Sequence, residues 1–450
     1  MALRQQAAVA QDTTERLLSG WGRTAPTRAT VRRPRDGGET VAALAAAGHR
    51  GTIARGLGRS YGDAAQNAGG TVLDMTGLDA VGPVDAGGEI TVGAGASLAG
   101  LLTALLPVGW MPPVMPGTRF VTVGGAVAAD VHGKNHHRDG SFCDHVTSLR
   151  LLTPGGDVVD VTRESDPDLF AATAGGMGLT GVVLAATLRL TPMSTAAIRA
   201  EHRRVPDLDR MLALLEEDPA RYSVAWVDMT APARARGRGE VILGEHADAD
   251  AGRHAAPGTP RIPTPRGLPS GLLSAPLVRL GCAARYRMVP GRRSAVEGVG
   301  PFFFPLDGIR DWNRVYGPGG LVQHQFVVPP GRADVVRFAL DRVARSGVPA
   351  PLAVLKRLGA GRGMLAFPIE GWTLAVDFPA RAHGLARLLD DLDDRVAEAG
   401  GRVYLAKDSR MRPEMLTSMY PDLARFSAVR ARIDPDARLR SDLARRLGLA

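Results

Sequence analysis

Lysine occurs at three positions in 450 residues, Lys134, Lys356 and Lys407, although Lys and Arg together number 55. The other 52 of those 55 are arginine. A lysine ammonium is compact and gives up its proton when burial makes the charge costly, whereas a guanidinium stays charged and needs room for a planar fork. Three lysines in so arginine-rich a chain point to places where a proton moves or a small cation must fit. Chance retention is the plain alternative, and the surroundings of each lysine decide between the two.

Lys134 lies in ADVHGKNHHRDGSF, residues 129–142, beside His132, His136 and His137. His132 and His136 have the spacing of a helical metal pair, but Gly133 and Asn135 are poor helix formers and no glutamate supplies a base. No metal site is expected. Lys356 and Lys407 fall on the predicted strands PLAVLKRLG and RVYLAKD. On LVQHQFVVP, strand alternation sends Gln323 and Gln325 to one side, opposite Val322, Phe326 and Val328. Two amides on one face of an apolar strand need hydrogen-bond partners, so that face is either wet or lines a site. The lysines on the same predicted sheet favour a site, although alternation alone does not settle which face they take.

Glycine marks three loops. RGLGRSYGD, residues 55–63, contains Gly58-x-Ser60-x-Gly62, the pattern of a hydrolase nucleophile elbow, and Gly56-x-Gly58-x-x-x-Gly62, near a dinucleotide fingerprint. Both motifs need a helix directly after the loop. The loop runs instead into AAQNAGGTV, without an apolar stripe, so neither reading holds. Successive glycines still expose N–H groups that form an anion-binding nest. PGTRFVTVGGAVAADVHGKNHH at 116–137 and AGGMGLTGVV at 174–183 add two more such loops. Three of them beside β-rich runs suggest backbone held against an extended cofactor.

The elements that must position these residues are legible in outline. From about 50 to 190, short apolar runs such as TIARG, TVLDMTG and EITVGAGA alternate with glycine, and SLAGLLTALLPVG is a helix starting at Ser97. That is a mixed α+β region. Residues 321–407 predict strand, helix, strand, strand, helix, strand, with Val336, Leu340 and Val343 striping the first helix. Leu385, Leu388, Leu389, Leu392 and Val396 stripe the second. The order is that of a ferredoxin-like βαββαβ antiparallel sheet, helices on one face and the other free to meet a partner. Proline, glycine and small residues dominate 246–275, which predicts a mobile insertion or lid. The tail from Asp436 to Leu449 predicts a helix striped by Leu439, Leu443 and Leu447, packing back on the body.

Length predicts about two domains. A composition 45% hydrophobic and 22% charged is globular, and no uninterrupted apolar window reaches the roughly eighteen residues of a membrane span. The N-terminus lacks the apolar core of a secretory signal, so a cytoplasmic or membrane-peripheral protein is expected. Cys143 and Cys282 are too few for a disulfide framework or a cysteine metal site, and a reducing compartment is the default. The net charge of +9 is compatible with anionic lipid, a phosphorylated substrate or nucleic acid. Its arginines are scattered among acids without an aromatic-rich basic module, so nucleic acid is not expected.

ARGLGRSYGDAAQN, PGTRFVTVGGAVAADVHGKNHH, GGMGLTGVV, WNRVYGPGGLVQHQFVVP and YLAKDSR together resemble the vanillyl-alcohol-oxidase type of FAD enzyme, over nearly the whole chain apart from 230–300. The resemblance implies a two-lobed FAD-binding domain, 1–193 with a return at 408–450, and a substrate domain at 194–407 that carries the ferredoxin-like sheet. It places FAD against Arg55, Gly56, Leu57, Gly58, Arg59, Ser60, Tyr61, Gly62, Asp63 and Ala64. Further contacts are implied at Gly117, Thr118, Thr122, Val123, Gly124, Gly125, Ala129, Asp130, Val131, His132, Val183 and Tyr404. Many relatives carry a histidine in the first loop that bonds covalently to the flavin; Arg59 stands in that place, which implies a dissociable, non-covalent FAD.

The same resemblance implies a substrate pocket lined by Tyr61, His132, Lys134, Trp226, Gln323, Gln325, Lys356 and Lys407. Phe303, Thr373 and Ala375 stand where relatives carry an aromatic hydroxyl, an asparagine and a cysteine. The implied reaction removes two electrons from a secondary alcohol, the 2′-hydroxyl of a ribose joined to a polyprenyl phosphate. Lys407 is the first choice for polarising or deprotonating that hydroxyl, with Tyr61 second. His132 and Lys134 would sit near flavin and sugar, while Gln323, Gln325 and Lys356 orient sugar and phosphate. A nicotinamide-dependent keto-reductase would complete an epimerisation, and a lipid-linked substrate implies peripheral membrane contact, for which 246–300 is the candidate. Two alternatives stay open. One is a sugar or alditol oxidase of the same fold that uses a soluble polyol and oxygen. The other is a basic membrane- or nucleic-acid-binding protein with a degenerate flavin fold.

Overall fold

The computed structural model describes residues 13–251, 258, 262–265, 267–269 and 271–449. The glycine-punctuated runs build two small sheets. In the first, Thr13–Leu18, Thr27–Arg32, Thr71–Asp74 and Thr52–Arg55 lie in that order, the last three parallel. The second is antiparallel, in the order Val81–Val84, Glu89–Gly93, Val182–Arg189, Val146–Leu152 and Val158–Val161. Val31, Ile53, Val72, Ile90, Val92 and Leu149 are buried in one continuous core, as β-branched and aliphatic side chains on a pleated face should be. The helix Leu98–Leu105 begins where Ser97 Oγ accepts the Gly100 N–H at 3.0 Å, and it buries Leu98, Leu101, Leu102 and Leu105.

The segments from 321 to 403 keep the predicted order: Leu321–Val328, helix Ala333–Ser346, Leu352–Leu358, Gly371–Pro379, helix Leu385–Glu398 and Arg402–Val403. In space they form half of an eight-stranded antiparallel sheet. Its order is Arg292–Gly298, Ala197–Val205, Gly239–His246, Tyr222–Val227, Leu352–Leu358, Gly371–Pro379, Leu321–Val328 and Arg402–Val403. The predicted helix stripes are buried. Between them and the sheet, His324 Nε2 meets the Asp393 carboxylate at 2.7 Å, so the even-numbered face of that strand is the helix side.

Register then settles what alternation left open. Directly paired residues share a face, and the pairs Gln323–Asp377, Gln325–Ala375, Thr373–Lys356 and Val354–Trp226 put all of these side chains on the face away from the helices.

The tail departs from the expectation. Only Asp442–Arg446 is helical. Upstream, Thr52 N–H donates to Arg438 O at 2.8 Å and Arg440 N–H to Thr52 O at 2.9 Å, so Leu439 extends the open edge of the first sheet. Leucines four apart fit a helix, but an unpaired strand edge offers this backbone hydrogen bonds that the helix would have to forgo. Leu439, Leu443 and Leu447 are buried all the same. Arg446 clamps the tail by two bonds to Asp63, at 2.8 and 2.9 Å, and a third contact to Asp408 at 2.9 Å. Arg446→Ala strips two largely buried carboxylates of their cation and is expected to cost about 3 kcal/mol, read as a lower midpoint in urea unfolding.

Within the predicted insertion at 246–275, residues 252–257, 259–261, 266 and 270 lie outside the described residues. Among those described, Ile262–Pro263 pairs in parallel with Ile309–Arg310, and no helix is long and apolar enough to cross a membrane.

Candidate active site

A cavity of about 450 Å³ lies between the glycine loops and the open face of the eight-stranded sheet. All three lysines line it. The first loop contributes Arg55 to Tyr61 and Ala64. The second contributes Gly117, Thr118, Thr122, Gly124, Gly125, Ala129, Val131, His132 and Lys134. Val183, Tyr404 and Lys407 join them, and the opposite wall supplies Trp226, Phe303, Gln323, Gln325, Lys356 and Ala375.

Five of the predicted residues do not reach the cavity. Gly62 is pressed against the main chain of Asp408, and Asp63 is held by Arg446. Val123 is in the core. Asp130 adopts φ 38° and accepts the Cys143 N–H at 3.1 Å; burial raises its carboxyl to about 6. Thr373 stands one layer back, its hydroxyl accepting from Gln325 Nε2 at 3.1 Å.

The loops present main chain where side chains would crowd a ligand. A Cβ on Gly56 would lie 2.1 Å from Thr122 Oγ1, so the first two loops touch through a missing side chain. At Gly117 a Cβ would meet nothing within 4 Å. His132 Nε2 accepts from Gln325 Nε2 at 2.9 Å, and its buried Nδ1 has no hydrogen-bond partner among the described residues. Burial and the nearby Lys356 hold that imidazole well below its ordinary pKa, so it is neutral with its proton on the orphaned Nδ1. Long glycine walls and an unsatisfied buried donor fit an extended, acceptor-edged cofactor such as FAD. Arg59 is sandwiched, its guanidinium 3.9 Å from the Trp21 ring centroid and 5.4 Å from that of Phe120. A guanidinium has no free lone pair for a flavin bond.

On the opposite wall a chain of polar groups converges on Lys407. Its Nζ lies 3.9 Å from the Tyr61 ring centroid. Gln323 Nε2 donates to Tyr61 OH at 3.3 Å and to Asp377 at 2.5 Å, and Tyr316 OH donates to the same carboxylate at 3.2 Å. Burial, then Asp377, pushes the Tyr61 phenol far above its ordinary range, so it stays protonated. Burial lowers Lys407, with Asp377 opposing and Lys356 assisting, while burial raises Asp377. Burial brings Lys356 to about 8. Lys134 falls to about 7 through burial and then Lys356; its Nζ donates to Phe302 O at 2.5 Å. Burial lowers all three amines, and Lys356 lowers Lys134 and Lys407 further, which makes a neutral amine available near neutrality.

Asp377 and Arg285 were not anticipated. Asp377 has a signal after the fact: in WTLAVDFP it shares parity with Thr373 and Ala375. Arg285, whose guanidinium sits 4.2 Å from the Trp226 ring centroid, belongs to a helix with no motif to mark it. Phe303 packs edge-on to Tyr222 at 4.9 Å, an apolar wall without a hydroxyl.

Residues 29–162 match the FAD binding domain family, and residues 380–447 match the D-arabinono-1,4-lactone oxidase family. The chain is 42% identical to decaprenylphosphoryl-beta-D-ribose oxidase of Mycolicibacterium smegmatis over 457 residues, 97% of this chain and 98% of that protein. An uncharacterised Streptomyces coelicolor protein is 45% identical over 368 residues, 78% of this chain and 99% of its own. L-galactono-1,4-lactone dehydrogenase 1 of Oryza sativa subsp. japonica is 34% identical over a shorter stretch of 119 residues, 26% of this chain and 20% of that protein.

Proposed function

The chain belongs to the decaprenylphosphoryl-β-D-ribose oxidase family of FAD-dependent oxidoreductases, of the vanillyl-alcohol-oxidase type, and we propose that Lys407 takes the 2′-hydroxyl proton of decaprenylphosphoryl-β-D-ribose as that carbon is oxidised to the ketone. The observation that carries this assignment is the convergence of every lysine in the chain on one cavity, between glycine loops and an amide-bearing sheet face. Bound FAD supplies the two-electron acceptor for the hydrogen leaving C2 of the ribose.

The chain's own residues do the rest. The neutral amine of Lys407 receives the hydroxyl proton at Nζ, and the ammonium it becomes is stabilised by the nearby Asp377 carboxylate. Tyr61 is the lesser candidate because its buried phenol keeps its own proton. Lys356, protonated below about 8, holds the phosphate, and Gln323 and Gln325 orient the sugar. His132 offers its free Nδ1–H to the flavin, and Lys134 closes that side of the pocket.

In this reading residues 1–193 and 408–450 form the FAD domain, and 194–407 form the substrate domain, whose 321–407 part is a ferredoxin-like unit. The keto sugar stays on its lipid phosphate, and a nicotinamide-dependent keto-reductase completes the epimerisation to the arabinose form. Anaerobic titration of the purified protein with a polyprenyl-phosphoribose is expected to bleach the visible flavin bands, and xylitol is expected to leave them unchanged. A colourless protein that takes up no flavin would sink the reading. Xylitol-dependent peroxide formation without bleaching by the lipid substrate would replace it with a soluble-polyol oxidase.

A further inference from the structure

The helix Ala275–Met288 carries two apolar stripes. Val278 and Cys282 are buried against Trp226, with Leu352 and Tyr286 packed beside them. Trp226, Leu352 and Arg285 also line the cavity, so the inner side of this helix belongs to the wall of the active site. The outer stripe, Leu277, Leu280, Ala284 and Met288, recurs at steps of three and four residues. Leu277, Leu280 and Met288 are 55%, 67% and 83% exposed. Single apolar side chains in water are ordinary; three along one helical stripe form a patch that marks an interaction surface.

The charge around the patch is predominantly positive. Residues 271–306 hold five arginines and a single acid, Glu297. Arg285 and Arg292 answer Glu240 and Glu201. Arg279, Arg287 and Arg293 are exposed and have no ion pair among the described residues. Past the C-terminal end of the helix, Arg204 and Arg210 line a cleft with Asp207, where Arg203 and Arg292 are paired with Glu201. An apolar stripe flanked by guanidinium groups is complementary to a bilayer with anionic headgroups, where the apolar side chains enter the acyl boundary and the arginines stay at the phosphates.

We propose that the outer face of the helix Ala275–Met288 docks on an anionic phospholipid surface. The polyprenyl chain then stays in the bilayer while the phosphoribose head enters the cavity beneath the helix's inner face. The docking surface stands on the patch and its charge; the route of the substrate rests on the function proposed above.

The test is co-sedimentation of the full-length holoenzyme with phosphatidylcholine vesicles, with and without phosphatidylglycerol. Binding is expected only with phosphatidylglycerol, weakening as salt is raised. The exposed pair Leu280→Glu with Met288→Glu is expected to lower that binding by at least ~30-fold at an unchanged melting temperature. Turnover of the decaprenyl substrate in those vesicles should fall with it, while a short-prenyl, water-soluble analogue should be turned over as before. Equal binding of parent and variant, or equal binding to neutral vesicles, overturns the proposal. A dimer that dissociates on substitution assigns the face to a second copy of the chain and also overturns it. Loss of turnover on both substrates by the variant places the effect inside the cavity, against docking. If the parent turns over neither substrate, the proposed function fails, and vesicle binding still reads the docking surface on its own.

Discussion

Lys407→Met is expected to lower kcat on the polyprenyl-phosphoribose by a factor of about 10²–10⁴ with flavin content unchanged, the span of a lost general base. Methionine keeps most of the buried stem and its packing, so the comparison isolates the amine. Lys407→Arg should fare little better, because a guanidinium stays charged in any protein and cannot accept the hydroxyl proton. The pH profile supplies the second readout. The base must be neutral, so kcat falls as pH drops through the pKa of Lys407, which burial sets below the ordinary lysine range. Lys356 must be charged to hold the phosphate, so KM rises as pH climbs through about 8. A parent enzyme whose acid limb survives in Lys407→Met would move the base elsewhere, with Tyr61→Phe the next variant to measure.

Gly62→Ala should be nearly as damaging, although residue 62 does not touch the cavity. An added Cβ would stand 1.9 Å from Asp408 O, 2.8 Å from its carbonyl carbon and 2.9 Å from Ser409 Cα. All three are main-chain atoms, so no side chain can swing aside, and the overpacking is expected to cost about 3 kcal/mol. The segment that must move carries Lys407, and the loop is already tied to it where Tyr61 N–H donates to Ala406 O at 2.9 Å. A displacement of about 1 Å at a reacting group costs on the order of 10²-fold in rate, so turnover should fall beyond the loss of folded protein. Thermal melting together with kcat per bound flavin separates the two effects. A variant with the parent's melting temperature and rate would mean that this contact is looser than the distances require.

The glycine loops were legible in RGLGRSYGD and PGTRFVTVGG because close backbone approach demands a residue type that can be read directly. The reason for each glycine was not legible. Gly56 yields to Thr122 and Gly62 to Asp408, partners 66 and 346 positions away in the chain. The same holds for Asp63, which resembles a cofactor contact and is an anchor for the C-terminal helix.

Residue chemistry and local period were enough to single out the three lysines, the common face of Gln323 and Gln325, and the buried stripes of the helices Ala333–Ser346 and Leu385–Glu398. These are properties of a residue or of its near neighbours, and a short window contains them. Register and edges belong to pairings across the chain. Alternation tells which residues of one strand share a side, but only the pairs Thr373–Lys356 and Gln323–Asp377 turn Lys356 toward the cavity and bring a buried carboxylate to Lys407. In the same way, leucines spaced by four are consistent with a helix from 436 to 449 until the free edge at Thr52 takes Leu439 into a sheet. Backbone hydrogen bonds offered by a distant strand outweigh a local period, and no stretch of sequence short enough to read by pattern contains both partners.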